Sequence, residues 1–406
     1  MSIKTLTANI LSKIPKIDKW QEKFIIHLFW LLLSMRGRVN FEQLGRYSKY
    51  NESTFRNNFD KTFDFLSFNQ ELIATVCEKE IAIAFDPSFI SKSGKQTAGL
   101  GYFWSGCAGR SKKGLEIGGF GALDIINNTC MHLCAYQTIL DSTKKGDEKK
   151  QSLLSYYSDL VVSKAEQLLK TSNKLVVDAY FSKKPFVDSA VSVGFEVISR
   201  LRDDAVLQYR YLGTPRKGRG RPRKFAGKVD RKKLDEQHFK PIIKEPDFMA
   251  YESVVYSKAL KRWIKVVIVH YLKEDGTLKA AKIYFSTDLQ MEGVDIFIYY
   301  KTRFQIEFLY RDGKQYTGLE QCQSRKAKRL DFHFNASLTT ASLAKAMHHL
   351  DKPIDKRKPF SMASIKTQYF NELLLDKFIS AFGFSPERIK NNPVYRKIRD
   401  FGKIAA

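Results

Sequence analysis

Three acids stand where a fold can turn them toward one another. Asp86 closes the apolar run "EIAIAFD" (80–86), and Asp178 follows "NKLVV". Glu307 lies in "YYKTRFQIEFLYRDGKQYTGL" (299–319), among Arg303, Arg311 and Lys314. Short runs that are apolar on both faces predict buried strands. Both aspartates are therefore expected at strand ends, where the backbone is rigid and the side chain opens into a crevice. Carboxylates gathered in this way repel one another, and a divalent cation relieves the repulsion. With oxygen donors and no His or Cys cluster, the ion expected is Mg²⁺ or Mn²⁺. A single strand-end aspartate is also a common turn or cap residue, so it is the set that points to chemistry. Read as one helix at about 100° per residue, Tyr300, Arg303, Glu307 and Lys314 fall within roughly 60° of arc. That stripe carries a phenol, a guanidinium, a carboxylate and an ammonium. Phe297, Phe304 and Phe308 border it, which places it at a cleft edge.

The elements that must position these residues follow from pattern. Residues 1–75 read as helical; "FIIHLFWLLLSM" (24–35) is apolar nearly all round, hence buried, and too short to cross a bilayer. Two further helices split near "SKYNES", with Ser53 as the N-cap of the second. They resemble a helix-turn-helix that would offer Thr54, Arg56, Asn57 and Asn58 to DNA; a plain helical subdomain fits as well. Strands are expected at 80–86, 115–126 and 130–139, the last two joined by a turn at Asn127-Asn128. A helix over about 149–171, a strand ending near Asp178, a helix from Lys184 and a strand over 194–201 complete a mixed sheet covered by helices. The fold class expected is α/β (α+β), RNase H-like. A β-rich insertion (203–289) interrupts this core, and its second part is 290–350. Helical regions flank it at 1–75, read as DNA-binding, and at 351–406.

Composition narrows the partners. The 406 residues carry 69 Lys+Arg against 43 Asp+Glu, a formal charge of +26. Such a field attracts polyanions. The basic residues spread along the whole chain instead of forming one amphipathic anchor, which favours nucleic acid over a membrane surface. Five cysteines without framework spacing suggest free thiols in a reducing compartment, so a cytoplasmic protein with no membrane association is expected. Cys130 and Cys134 lack the second pair that a zinc site needs.

The spacing of Tyr300, Arg303, Glu307 and Lys314 matches, at all four positions, the YREK signature of bacterial insertion-sequence DDE transposases. "FDPSFISKSGKQT" (85–97) resembles the segment around the first acid of that group, and "DAYFSKKPF" (178–186) the segment around the second. "STDL" (286–289) resembles the tetrapeptide before the signature helix, and "HFNASLTTASLAKA" (333–346) the helix after it. The resemblance covers roughly residues 80–350. It implies a catalytic and metal-binding triad of Asp86, Asp178 and Glu307 holding two Mg²⁺ (or Mn²⁺) ions. It further implies hydrolysis at transposon ends, strand transfer into target DNA, and a homodimer on double-stranded DNA. By position Tyr300, Arg303 and Lys314 would bind DNA near the cleaved end, as suits a stacking face, a phosphate fork and a point charge.

The insertion opens with "KGRGRPRKF" (217–225), in which Arg219, Arg221 and Arg223 follow the pattern of an AT-hook for the narrow minor groove. A solvated loop that binds phosphate without preference is the plainer reading. Asp124 and Asp141 are weaker rivals to Asp86. Two other functions share these features: a catalytically silent, transposase-derived DNA-binding regulator, and an RNase H-like structure-directed nuclease.

Overall fold

The computed structural model describes residues 2–15, 17–140, 151–213, 223–351 and 353–404. Arg219, Arg221 and Asp141, named above, lie outside the described residues. The chain begins with helices α1 (Ile3–Leu11), α2 (Lys19–Ser34), α3 (Phe41–Tyr47), α4 (Glu52–Phe59) and α5 (Phe65–Val76). Strands β1 (Ile81–Ser91), β2 (Gly101–Ser105), β3 (Arg110–Asp124) and β4 (Thr129–Gln137) follow, then α6 (Leu153–Leu168), β5 (Lys174–Val177), α7 (Lys184–Ser192) and β6 (Glu196–Arg200). Next come β7 (Leu207–Arg210), β8 (Phe225–Lys228), β9 (Lys240–Lys244), β10 (Phe248–Ser257), β11 (Arg262–Leu272) and β12 (Leu278–Ser286). Helices α8 (Gly293–Thr302), α9 (Gln305–Tyr316), α10 (Ala327–Asp351), α11 (Met362–Ala381) and α12 (Pro393–Arg399) complete the described chain.

Among the described residues the strands form one mixed sheet in the order β2-β3-β1-β5-β6-β12-β11-β10-β7-β8, with β4 beside β3 and β9 beside β10. β1, β5 and β6 run parallel; β3 and β12 flank them antiparallel. The strands of 203–289 thus extend the first sheet through the β6–β12 pair. One face is covered by α6 and α7, where Phe85, Tyr157, Phe181 and Phe186 pack. The other is covered by α8, α9 and α10. The expected α/β class is therefore present: a mixed sheet with flanking helices, compatible with an RNase H-like fold.

Alternation explains which face each strand residue takes. Ala82 and Ala84 point to the α8–α10 side, and Ile83 and Phe85 to the α6–α7 side. The β3–β4 turn is capped by Asp124, which accepts from Asn127 N–H and Nδ2 and from Glu78 N–H. Asn128 takes the left-handed φ of 45° that asparagine tolerates. Asp124 is thereby removed as a rival to Asp86: its oxygens are spent on the turn.

Helix α10 runs through the middle of the molecule. Residues Phe332–Ala346 are buried on every side, between the sheet and a third core formed by α1–α5 and α11. A buried helix rich in Ala, Ser and Thr must satisfy its hydroxyls. Thr340 donates to the Ala336 carbonyl, Ser337 pairs with Thr317, and Thr339 accepts from Asn69. Asn335 fastens it to β4, accepting from Ala135 N–H and donating to the Ala135 carbonyl, each at 2.8 Å.

At the helix-turn-helix-like pair, the N-cap of α4 is Asn51 and not Ser53: its Oδ1 accepts from Thr54 N–H at 3.0 Å. Asn is as good a cap as Ser, and the two-residue shift puts Ser53 in the first turn. Asn58 faces inward and donates to the Thr54 carbonyl, while Arg56 is paired with Glu52 and Asn57 is exposed. Helix α2 is buried as expected, and no described helix is long and apolar enough to cross a membrane.

Candidate active site

Asp86 does not end its strand. β1 continues to Ser91, with Asp86 opposite Gly119 of β3. What ends is the other neighbour: β5 pairs only with Ile83–Phe85 and stops at Val177. Beyond Phe85 one edge of β1 is open, so Pro87 forfeits no ladder bond by lacking an N–H. The crevice expected at a strand end exists, formed by the shorter partner. Asp178 lies at the end of β5, where its Oδ1 accepts from Tyr180 N–H at 2.9 Å and caps a single helical turn, Ala179–Phe181. Ser199 donates to its carbonyl.

The signature residues do not share one helix. Tyr300 lies in the last turn of α8 and Glu307 in the first turn of α9, the two helices joined through Arg303 and Phe304. The joint keeps helical dihedrals but tightens: Phe304, Ile306 and Glu307 N–H groups each donate three residues back instead of four. The stripe survives only locally, with Arg303 Nη2 at 3.3 Å from Glu307 Oε1.

Arg303 is the centre of the arrangement. Its side chain is 13% exposed, and Nη1 lies 3.7 Å from Asp86 Oδ1. Its guanidinium also sits 5.7 Å from the Tyr300 ring centre, and Tyr300 packs on Tyr284. Burial opposes the Arg303 charge, yet Asp86, Tyr300, Glu307 and Asp178 together hold the group above its ordinary pKa. Burial also pushes the Asp86 carboxyl up to about 7; Arg303 counters this, and repulsion from Asp178 and Glu307 adds to it. The fold has brought three acids within electrostatic reach of one another beside the partly buried Arg303.

A divalent ion fits the donor chemistry, which is all carboxylate oxygen with an excess of negative charge over Arg303. Among the described residues, however, no three His, Cys, Asp or Glu side chains are drawn together tightly enough to hold an ion as they stand.

Lys314, in the last turn of α9, donates to the Phe89 carbonyl at 2.7 Å and faces Glu320 at 3.4 Å. It therefore pins α9 to β1 on the far side of Glu307. Arg223 is remote in the sheet order, on the β8 side, where Nε donates to the Phe225 carbonyl and the guanidinium lies over Tyr211. Trp263 packs with Phe225 and Tyr256, as sheet packing predicts. Cys130 and Cys134 are buried free thiols that burial keeps protonated.

Two positioning residues escaped the motif reading. Tyr310 donates its hydroxyl to the Asp86 carbonyl at 2.6 Å. Its ring fits there because residue 119 has no side chain: a Cβ on Gly119 would lie 2.2 Å from the Tyr310 hydroxyl. The signal was present in "IGGFG" (117–121), since glycines inside an apolar strand mark a close approach.

A search of curated proteins finds no match to the chain. Residues 161–343 match the family model described as a transposase DDE domain, a stretch that begins after Asp86 and contains Asp178, Tyr300, Arg303, Glu307 and Lys314, and the match supports a DDE transposase.

Proposed function

We propose that this protein is a metal-dependent DNA transposase that cuts phosphodiester bonds at the ends of an insertion sequence and joins them to target DNA. The observation that supports the reading is that Asp86 and Glu307 both lie against Arg303, with Asp178 near enough for its charge to act on Asp86 and Arg303. Asp86, Asp178 and Glu307 would hold two divalent cations, Mg²⁺ or Mn²⁺. Bound there, the cations supply activation of the attacking oxygen and stabilisation of the leaving one. Arg303 offers two N–H groups to a phosphate once its carboxylate partners are otherwise engaged. Tyr300 presents an aromatic face beside it, and Lys314 a point charge one helix length on. Two DNA ends need two such sites, hence a dimer on DNA.

The direct test is incubation with the DNA that flanks its own gene plus Mg²⁺, with strand breaks mapped at nucleotide resolution. Breaks at the element's ends are expected. They should vanish in Asp86→Ala and Glu307→Ala while DNA retention survives. Binding without cleavage by the unaltered protein, in Mg²⁺ and in Mn²⁺, would replace this reading with the silent regulator. Preferential cutting of RNA hybrids would replace it with the nuclease.

A further inference from the structure

Beside the site lies a groove of about 760 Å³ to which no role has been given. Three distant segments build it: the connection after β1 (residues 91–97), the α9–α10 connection, and Arg38 between α2 and α3. Hydrogen bonds lock these walls together. Lys92 Nζ donates to the Cys322 and Ser324 carbonyls at 2.5 and 3.1 Å. Ala98 N–H donates to the Arg325 carbonyl at 3.3 Å, and Val39 N–H to Gln321 Oε1 at 2.6 Å. The groove is thus a built part of the fold and does not depend on side chains meeting by chance.

Its lining is cationic. Arg38, Lys92, Lys95, Lys314 and Arg325 face it against one acid, Glu320, which already pairs with Lys314. Arg38, Lys95 and Arg325 are exposed, and the Arg325 guanidinium donates to Gln96 Oε1 at 3.2 Å. Among the described residues no aromatic side chain lines the groove, so these offer bases nothing to stack on. Cations without stacking faces suit a backbone of phosphates. Lys314 joins the groove to α9, the helix that carries Glu307.

We propose that this groove holds the phosphate backbone of the DNA strand continuing from the scissile bond, without reading its sequence. The proposal rests on the DNA reading above and deepens it. The test is the binding of the full-length protein to fluorescein-labelled DNA duplexes, measured by anisotropy across a salt series. The triple variant Arg38→Ser, Lys95→Ser, Arg325→Ser changes exposed side chains only, and circular dichroism checks its fold. Each phosphate contact contributes about 0.9 to the slope of log affinity against log salt, so the triple variant should lower that slope by about 2 to 3. The loss should be the same for duplexes of unrelated sequence, and should disappear for duplexes trimmed on the side that enters the groove. A second triple variant, Lys240→Ser, Lys273→Ser, Lys279→Ser, removes equal charge elsewhere and should leave the slope nearly unchanged. An unchanged slope in the groove variant, or equal losses in both variants, would overturn the groove while DNA binding stands. Failure of the unaltered protein to bind any duplex would instead remove the DNA reading and the groove with it.

Discussion

Tyr310 ties α9 to the sheet where the backbone beneath its ring is bare. Its hydroxyl meets the Asp86 carbonyl, and its ring occupies the volume that a side chain at 119 would need. Gly119→Ala should therefore displace the phenol or push the strands apart. Overpacking of this kind costs about 1 to 3 kcal/mol, readable as a shift in the urea midpoint. Tyr310→Phe removes only the hydrogen bond and should cost about 1 kcal/mol. The two changes meet at one atom, so they should couple: in a Tyr310→Leu background, Gly119→Ala should cost clearly less. Strictly additive losses would show that the close approach does not constrain the site.

At the scale of elements, two boundaries decide what the signature residues can do. The tightened joint between α8 and α9 keeps Arg303 and Glu307 in contact while separating Tyr300 onto its own helix. The early end of β5 turns the middle of β1 into a crevice. Both depend on hydrogen bonds that no residue type announces. The α4 boundary gives a sharper test, since the cap expected at Ser53 is found two residues earlier, at Asn51. Asn51 accepts from the Thr54 N–H and hydroxyl, whereas the Ser53 hydroxyl itself donates to Asn51. Asn51→Ala should cost about 1 kcal/mol, as loss of an N-cap does, and Ser53→Ala a few tenths at most. The reverse ranking in thermal or urea unfolding would restore Ser53 as the cap.

At the scale of the whole molecule, buried histidines contribute to the response to acid. Burial holds His132 and His333 down at about 4, against an ordinary value of 6.5. The unfolded chain takes up these protons near pH 6.5 and the folded chain only near 4. Their contribution is thus fully present above about pH 6.5 and is lost as pH falls toward 4. Asp331 works in the opposite direction, since burial lifts it to about 6. His132→Gln isolates one such group: at pH 5 the variant should take up about one proton fewer on unfolding, and its stability should fall less steeply between pH 6.5 and 4. An unchanged slope would mean that His132 is already protonated in the folded protein. Much of the rest was legible from residue order alone. Alternating and continuous apolar runs named the strands and the buried helix, and the spacing of 300, 303, 307 and 314 named the candidate cluster. These are local quantities, set by side-chain period and composition along a few tens of residues. The tertiary structure alone decided that β5 ends before β1 does, that Gly119 admits Tyr310, and that Arg303 stands between Asp86 and Glu307. It also decided that residues 38, 95 and 325 line one groove. Each of these depends on which distant backbones lie side by side, and long-range packing settles that where no local preference can.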